Sequence, residues 1–184
     1  MAKERQTYGI DIAGVHRELE LFEVKPGLRI AILNILGDTE LVEACAVALS
    51  EKLKAIDYDV LVTAEAKSIP LAHALSVTTG KPYVILRKTF KPYMGDAIQS
   101  ETLSITTGMP QTLFLDEKDR ASVKSKQVII LDDVISTGST LQGMRLILGK
   151  AGAKVTAEAA ILTEGERAKW SNIISLGHLP VFTD

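Results

Sequence analysis

The stretch VIILDDVISTGST, residues 128–140, decides the fold that we expect for this chain. Its four leading apolar residues are typical of a strand that is covered on both faces of a parallel sheet. Two acids follow where that strand ends, and a turn of small residues then leads into a helix. The apolar side of this helix is carried by Leu141, Met144, Leu148 and Ala151. The stretch therefore predicts a strand, a turn and a helix in succession.

Apolar runs and helical patterns alternate along the rest of the chain. We expect strands over 60–64, 83–86 and 155–162, and helices from 39 to about 56 and from 70 to about 80. Strands that alternate with helices of this length predict an α/β fold. The expected architecture is an open, mostly parallel twisted sheet flanked by helices, with ligands bound beyond the carboxyl ends of its strands.

Three regions lie outside this alternation. Short strands around 19–24 and 28–33 predict a small hairpin region near the start of the chain, and 179–182 is a candidate last strand. The segments 103–106 and 112–115 predict a second hairpin. Residues 88–102 show no clear pattern, so we expect an irregular segment there.

Composition limits the class of protein. With 184 residues, 46% of them hydrophobic and 24% charged, we expect one globular domain over 1–184. The net charge of −2 gives no basic field for nucleic acid or for a membrane surface, so we expect neither partner. Cys45 is the single cysteine, and neither a signal peptide nor an apolar run of about 20 residues is apparent. A soluble cytoplasmic protein is the expectation.

The turn after the acids has the chemistry of a phosphate cradle. Backbone amides at a helix start lack helical partners and point outward, and the helix dipole favours an anion there. Gly138 permits a positive φ or a close approach, and the neighbouring hydroxyls add donors without bulk. The candidate phosphate-binding residues are Ser136, Thr137, Gly138, Ser139 and Thr140.

Asp132 and Asp133 stand four to five residues before this turn. Ionised carboxylates only accept hydrogen bonds, and vicinal sugar hydroxyls donate two. A ligand with its phosphate in the turn would present its next atoms to these acids. The pattern therefore indicates a ribose 5-phosphate.

VIILDDVISTGST resembles the signature with which type I phosphoribosyltransferases bind 5-phosphoribosyl 1-pyrophosphate. EAKSIPLA at 65–72 is similar to the pyrophosphate loop of the adenine and xanthine branch of that family, and ILRK at 85–88 is similar to the Arg-Lys pair that follows it. The resemblance implies a purine phosphoribosyltransferase, adenine preferred, that requires Mg²⁺ and forms a homodimer. It also implies a base-binding hood, here over 1–36, and a flexible lid loop, here over 88–112.

The reaction gives each candidate residue a role. Cleaving the bond between sugar and pyrophosphate places positive charge on the ribose and negative charge on the leaving group, and both need stabilisation. Asp132 and Asp133 are the candidate catalytic residues beside the sugar. We expect no direct metal ligand, since magnesium would be held through substrate oxygens and water, with Asp132 and Asp133 as the candidate contacts from the protein. The candidate pyrophosphate-binding residues are Glu65, Ala66, Lys67, Ser68, Arg87, Lys88 and Lys91.

Base recognition is assigned to Val134, which follows the acid pair, and to Asn34. ILN at 32–34 resembles a Phe-Leu-Asn stretch of xanthine phosphoribosyltransferases, and an amide that both donates and accepts suits an oxopurine. SET at 100–102 instead resembles the lid of adenine enzymes, although the following LSITTGMPQ departs from it. Glu164 and Trp170 are candidates to close the far side of the base.

Several alternatives remain open. The base could be xanthine or hypoxanthine/guanine, or the chain could be a regulator that binds phosphoribosyl pyrophosphate without turnover, as in purine repressors. Only about 35 residues precede the first core helix, which disfavours the DNA module of such repressors. The turn at 136–140 could merely cap a helix, and Asn34 could be a simple turn residue. The three histidines have no zinc-ligand spacing.

Overall fold

The structure is a computed structural model that describes residues 6–103 and 110–183. The strands are β1 (Thr7–Ile12), β2 (Val15–Lys25), β3 (Leu28–Ala31), β4 (Val60–Ala64), β5 (Tyr83–Leu86), β6 (Ile98–Leu103), β7 (Pro110–Leu115), β8 (Gln127–Ile135), β9 (Lys154–Glu164), β10 (Ile174–Leu179) and β11 (Phe182–Thr183). The helices are α1 (Thr39–Leu53), α2 (Ile69–Thr79), α3 (Arg120–Val123) and α4 (Ser139–Lys150).

Five parallel strands form the central sheet in the order β10-β9-β8-β4-β5. From β4 the chain runs through α2 to β5 on one side, and from β8 it runs through α4 to β9 on the other. The strand order therefore reverses between β4 and β8. In open α/β sheets ligands bind at such a switch point, beyond the carboxyl ends of the strands.

Helices cover both faces of this sheet. α1 and α2 bury their apolar sides on one face, where Leu49 and Leu75 pack with Ile129 and Leu131 of β8. α4 covers the other face, where Met144 packs in the same cluster as Val128 and Ile130. β8 is buried from both sides, as its uninterrupted apolar run predicts. The α/β fold with a parallel sheet is confirmed.

A four-stranded antiparallel sheet in the order β1-β2-β3-β11 includes the strands of the segment expected to form the hood, and this sheet is called the hood below. Its residues Ile12 and Leu19 belong to the core cluster of α1 and α2, which fixes the hood above that face of the central sheet. Asp38 joins hood and core because its side chain accepts from the Leu41 amide at 3.2 Å, capping α1, and pairs with Arg17 of β2 at 2.7 Å. Asp38 is therefore the N-cap residue of α1.

The second hairpin packs on α4. β6 pairs with β7, and a Cβ added to Gly143 of α4 would lie 3.1 Å from Leu113 and 3.3 Å from Thr102 of the hairpin. The predicted first strand over 103–106 is wrong in its start, because β6 already begins at Ile98; residues 104–109 lie outside the described part of the chain. The expected irregular segment over 88–102 thus contains most of a strand.

The last part of the chain also differs from the prediction. A full strand, β10, covers Ile174–Leu179, where we expected only a short strand over 179–182. Among the residues that the structure describes, no helix combines the length and the apolar character that crossing a membrane requires.

Candidate active site

The proposed phosphate turn lies at the carboxyl end of β8 and opens into a cavity. The cavity has a volume of about 260 Å³, and its lining includes the whole predicted set from Ser136 to Thr140 together with Asp132 and Val134. The first helical hydrogen bond of α4 joins the Gln142 amide to the Gly138 carbonyl at 2.9 Å. The amides that precede Gln142 in the helix lack helical acceptors, so the helix start can receive an anion.

Gly138 is required by this turn for two reasons. Its φ is +80°, a conformation that residues with a side chain rarely adopt, and a Cβ at this position would lie 2.8 Å from the Trp170 ring. Trp170 donates its indole N–H to the Glu164 carbonyl at 2.9 Å. Lys169 lies 4.7 Å from the ring centroid, and its ammonium donates to the Thr137 carbonyl at 3.4 Å. The Trp170 ring therefore packs against the turn at Gly138 and bounds it on one side.

Ser68 connects the predicted pyrophosphate loop to the acid pair. Its buried hydroxyl lies 2.8 Å from Oδ1 of Asp132 and 3.2 Å from Oδ1 of Asp133, and it accepts from the Asp133 amide at 2.9 Å. A hydroxyl carries one proton, so it donates to one carboxylate at a time. The loop after β4 and the end of β8 are thereby held in contact across the switch point.

The charged forms of the two acids, Asp132 and Asp133, destabilise each other. Burial, and next the charge of Asp133, raise the pKa of Asp132 to about 7, while the Ser68 hydrogen bond lowers it. Two adjacent carboxylates that are short of compensating donors attract hydroxyl groups or a cation. The pair is therefore suited to a ligand that brings either of them.

Glu65, predicted to bind pyrophosphate, instead binds the basic segment that contains Arg87 and Lys88. Its carboxylate pairs with the Arg87 guanidinium and accepts from the Lys88 amide at 2.8 Å. The pKa of Arg87 is raised by a hydrogen bond to Tyr93 first, and by Glu65. The Glu65–Ala66 peptide bond is cis. These contacts place the Arg-Lys segment directly beside the loop that contains Ala66.

The other predicted cations differ in their surroundings. Lys67 is exposed and donates to the Leu33 carbonyl of the hood at 3.4 Å. Lys88 and Lys91 are exposed as well, and the Lys91 amide contacts Met94 Sδ at 3.2 Å. Within the described residues, Lys91 makes no hydrogen bond to the acid pair. Lys67, in contrast, links the predicted pyrophosphate loop to the hood.

On the base side, Asn34 is exposed and its Oδ1 accepts from the Leu36 amide at 3.3 Å, the geometry of a turn residue. Its amide nitrogen remains as a donor. Val134 is half-buried and packs against the hood-side core. Asn34 also lines a larger cavity, of about 630 Å³, between β2 and the segment 32–34.

The predicted lid motif SET lies in β6. Ser100 and Thr102 are buried, whereas Glu101 between them is exposed. Thr102 donates to the Gln111 carbonyl at 3.4 Å. Sequence reasoning did not identify Gln111, which lines the phosphate cavity. Nothing in the local pattern signals its role, because the pairing of β6 with β7 brings it there.

The acid pair also fits a magnesium ion in one particular manner. Among the described residues, no group of three or more His, Cys, Asp or Glu side chains could hold a metal by itself. Magnesium at phosphate sites uses one or two carboxylates and completes its shell with substrate oxygens and water. Asp132 and Asp133 match that requirement, because they are two adjacent carboxylates with no cation beside them among the described residues.

Comparisons with known proteins agree with this geometry. The profile of the phosphoribosyl transferase domain family matches residues 32–174. An adenine phosphoribosyltransferase of Thermosipho africanus is 31% identical over 174 residues, which cover 91% of this chain and 98% of that protein. A hypoxanthine/guanine phosphoribosyltransferase of Methanocella paludicola is 34% identical over 123 residues, 67% of this chain. That match spans 60% of the relative's own length.

Solved structures show the same fold. The adenine phosphoribosyltransferase of Giardia lamblia, complexed with 9-deazaadenine, has a TM-score of 0.73 at 19% identity and covers 87% of this chain and 93% of its own. That of Thermoanaerobacter pseudethanolicus has a TM-score of 0.69 at 19% identity, with 87% and 95% covered. At these identities the likeness concerns the fold alone.

Proposed function

The chain belongs to the phosphoribosyltransferase family, and on that premise we propose that it transfers the 5-phosphoribosyl group of phosphoribosyl pyrophosphate to a purine base, adenine by preference. The products are a nucleoside 5′-monophosphate and pyrophosphate. The observation that carries the proposal is the junction of Ser68 with Asp132 and Asp133 at the switch point, next to the phosphate cavity. Adenine is favoured by the relative that matches over nearly its full length.

The phosphate turn fixes the sugar. The amides at the start of α4 that lack helical acceptors and the hydroxyls of Thr137 and Ser139, which lie 3.2 Å from each other, would bind the 5′-phosphate and anchor the ribose over the end of β8. Asp132 and Asp133 then lie where the sugar hydroxyls donate. As the anomeric bond breaks, the positive charge that develops on the ribose is stabilised by these carboxylates.

The leaving group is held from the opposite side of the switch point. The loop from Glu65 to Ser68 would contact pyrophosphate through its backbone. Lys67, Arg87, Lys88 and Lys91 would supply positive charge to the departing oxygens. Glu65 serves by positioning Arg87, because a carboxylate itself does not bind an anion.

Magnesium would be held by Asp132 and Asp133 together with substrate oxygens, and it supplies charge neutralisation for the pyrophosphate. The base would pack on Val134, with Asn34 as the donor from the hood. The family resemblance also supports a homodimer, a hood over 1–36 and a lid over 88–112. Length and composition support a single domain over 1–184, and the single cysteine supports a cytoplasmic location.

A second candidate is a hypoxanthine/guanine phosphoribosyltransferase, which is favoured by the 34% identity to the relative that transfers to those bases. The free amide nitrogen of Asn34 would donate to their 6-oxo group. The site chemistry up to the base would be the same in either enzyme.

The deciding experiment incubates the purified protein with phosphoribosyl pyrophosphate, Mg²⁺ and, separately, adenine, guanine, hypoxanthine or xanthine, and measures nucleotide formation chromatographically. We expect AMP from adenine, and a much slower reaction after Asp133→Asn with phosphoribosyl pyrophosphate still bound. Glu43→Gln, at an exposed carboxylate of α1 outside the candidate site, is the control. Binding of phosphoribosyl pyrophosphate without turnover of any base would identify a regulator instead.

A further inference from the structure

Glu164, which the sequence suggests for the far side of the base, is a buried acid, and the proposed steps of the reaction give it no chemical role. It is the last residue of β9, and only 8% of its surface is exposed. Its Oε1 atom is buried and has no hydrogen-bond partner. A buried carboxylate oxygen without a donor is costly, so its missing donor needs an explanation, and a bound ligand is one group that supplies it.

The strand register places Glu164 at the ligand edge of the sheet. β9 runs parallel to β8, with Leu162 opposite Val134 and Thr163 opposite Ile135. Glu164 is the next residue, so it lies level with the first residue of the phosphate turn. It therefore stands at the carboxyl edge, one strand away from the acid pair.

Glu164 and Val134 lie on the same side of the central sheet, because Val134 is paired with Leu162, two residues before Glu164 on β9. Paired residues of parallel strands point the same way, and Glu164 is paired with Leu179 of β10. Leu179 and Leu162, the latter two residues before Glu164 on its own strand, both belong to the core cluster that includes the hood residues Ile12 and Leu19. Val134, the expected base contact, packs against that same cluster. Glu164 and Val134 thus border one space.

Trp170 connects Glu164 to the sugar phosphate side. The indole donates to the main-chain carbonyl of Glu164, and its ring lies against Gly138 of the phosphate turn. A nucleotide whose phosphate occupies the turn would extend toward the hood along this ring. Its base would then lie at the carboxyl edge of the central sheet, next to Glu164.

We propose that Glu164 is a specificity-determining residue that accepts a hydrogen bond from the 6-amino group of adenine. This inference rests on the proposed function. A carboxylate accepts and the amino group donates, whereas the 6-oxo group of hypoxanthine or guanine would oppose oxygen to oxygen. Burial raises the pKa of the Glu164 carboxyl, because no donor or cation offsets the loss of water around its charged form, and a donor brought by the ligand would supply that offset.

The test measures kcat/KM for adenine and for hypoxanthine, and the dissociation constants of AMP, IMP and phosphoribosyl pyrophosphate. Glu164→Gln keeps the shape and turns a donor toward the base, so we expect the adenine-to-hypoxanthine ratio to fall at least about tenfold. AMP should bind about tenfold more weakly relative to IMP. Phosphoribosyl pyrophosphate, which has no base, should bind within about twofold of the wild type.

Glu164→Leu removes the acceptor without adding a donor, and we expect it to lose adenine turnover without gaining hypoxanthine turnover. Glu166→Gln, at an exposed acid two residues later, is the matched control. A wild type that uses adenine, with an unchanged ratio in Glu164→Gln, overturns the inference and leaves the proposed function standing. A wild type that prefers hypoxanthine overturns the inference as well. A wild type that uses no base overturns both.

Discussion

The Ser68 hydroxyl donates to Oδ1 of Asp132 across the switch point of the sheet, at 2.8 Å, and both residues belong to the candidate site. The contact is made between the start of α2 and the end of β8, which are 64 residues apart in the chain. It sets the distance between the part of the site that would hold pyrophosphate and the part that would hold the sugar.

Ser68→Ala should lower the free energy of unfolding by about 1–3 kcal/mol, because it leaves a buried carboxylate without its hydroxyl donor. Urea unfolding at pH 8 measures the change. Ser50→Ala is the control, since that hydroxyl donates to the Val47 carbonyl at 2.7 Å within α1. A Ser68 variant as stable as the control would show that the contact contributes nothing.

Asp132→Asn should stabilise the ligand-free protein at pH 8 and much less at pH 5. The pKa of Asp132 is about 7 in the folded protein, above the unfolded value of about 3.9. The folded state thus binds more protons in this window, so stability falls as pH rises through it. The asparagine does not titrate, so at pH 8 the free energy of unfolding of the variant should exceed that of the wild type by on the order of 1–3 kcal/mol. Parallel urea titrations at both pH values check it, and a pH-independent difference would contradict it.

Gly138→Ala should destabilise the protein by at least about 1–2 kcal/mol, because a positive φ is costly for alanine and the new methyl group meets Trp170. AMP binding should weaken as the turn is displaced. Gly149→Ala in the same helix is the control, since a Cβ there meets nothing within 4 Å. We expect that control to gain up to about 1 kcal/mol. Thermal unfolding and calorimetry compare the two, and similar outcomes would argue against the packing described.

Glu65→Ala should weaken binding of phosphoribosyl pyrophosphate about five- to tenfold and leave AMP binding unchanged. The variant releases Arg87 and the Lys88 amide from their shared partner, and only the first ligand carries the pyrophosphate that these groups would contact. Calorimetric titration with each ligand provides its own control. Equal weakening of both ligands would mean that Glu65 supports the whole site instead.

The sequence predicts those helices and strands that are buried either on one face only or on both faces, because each case gives a clear pattern of apolar residues. The apolar run of β8 and the helical spacing of α1 follow from such burial. β10 and β6 were not predicted, since ISLGHL and IQSETL mix polar and apolar residues without a clear period. β6 becomes a strand through its pairing with β7 and its packing on Gly143, which are contacts between distant segments.

The site follows the same division. Local chemistry indicates the phosphate turn, because one short stretch contains the acids, the glycine and the hydroxyls. The burial of Glu164 and the place of Gln111 depend on strand register, which one sequence does not specify. Asn34 illustrates the opposite case, since the structure shows its side chain in the local turn contact that was the simpler interpretation.

Trp170 is the sole tryptophan of the chain, and its indole lies against Gly138 with a lysine ammonium 4.7 Å from the ring centroid. Its fluorescence therefore originates from one known place. Emission should shift when an anion enters the adjoining cavity and alters the field around the ring. The fluorescence of Trp170 should therefore report whether the cavity beside Gly138 is occupied, without a label or a coupled assay.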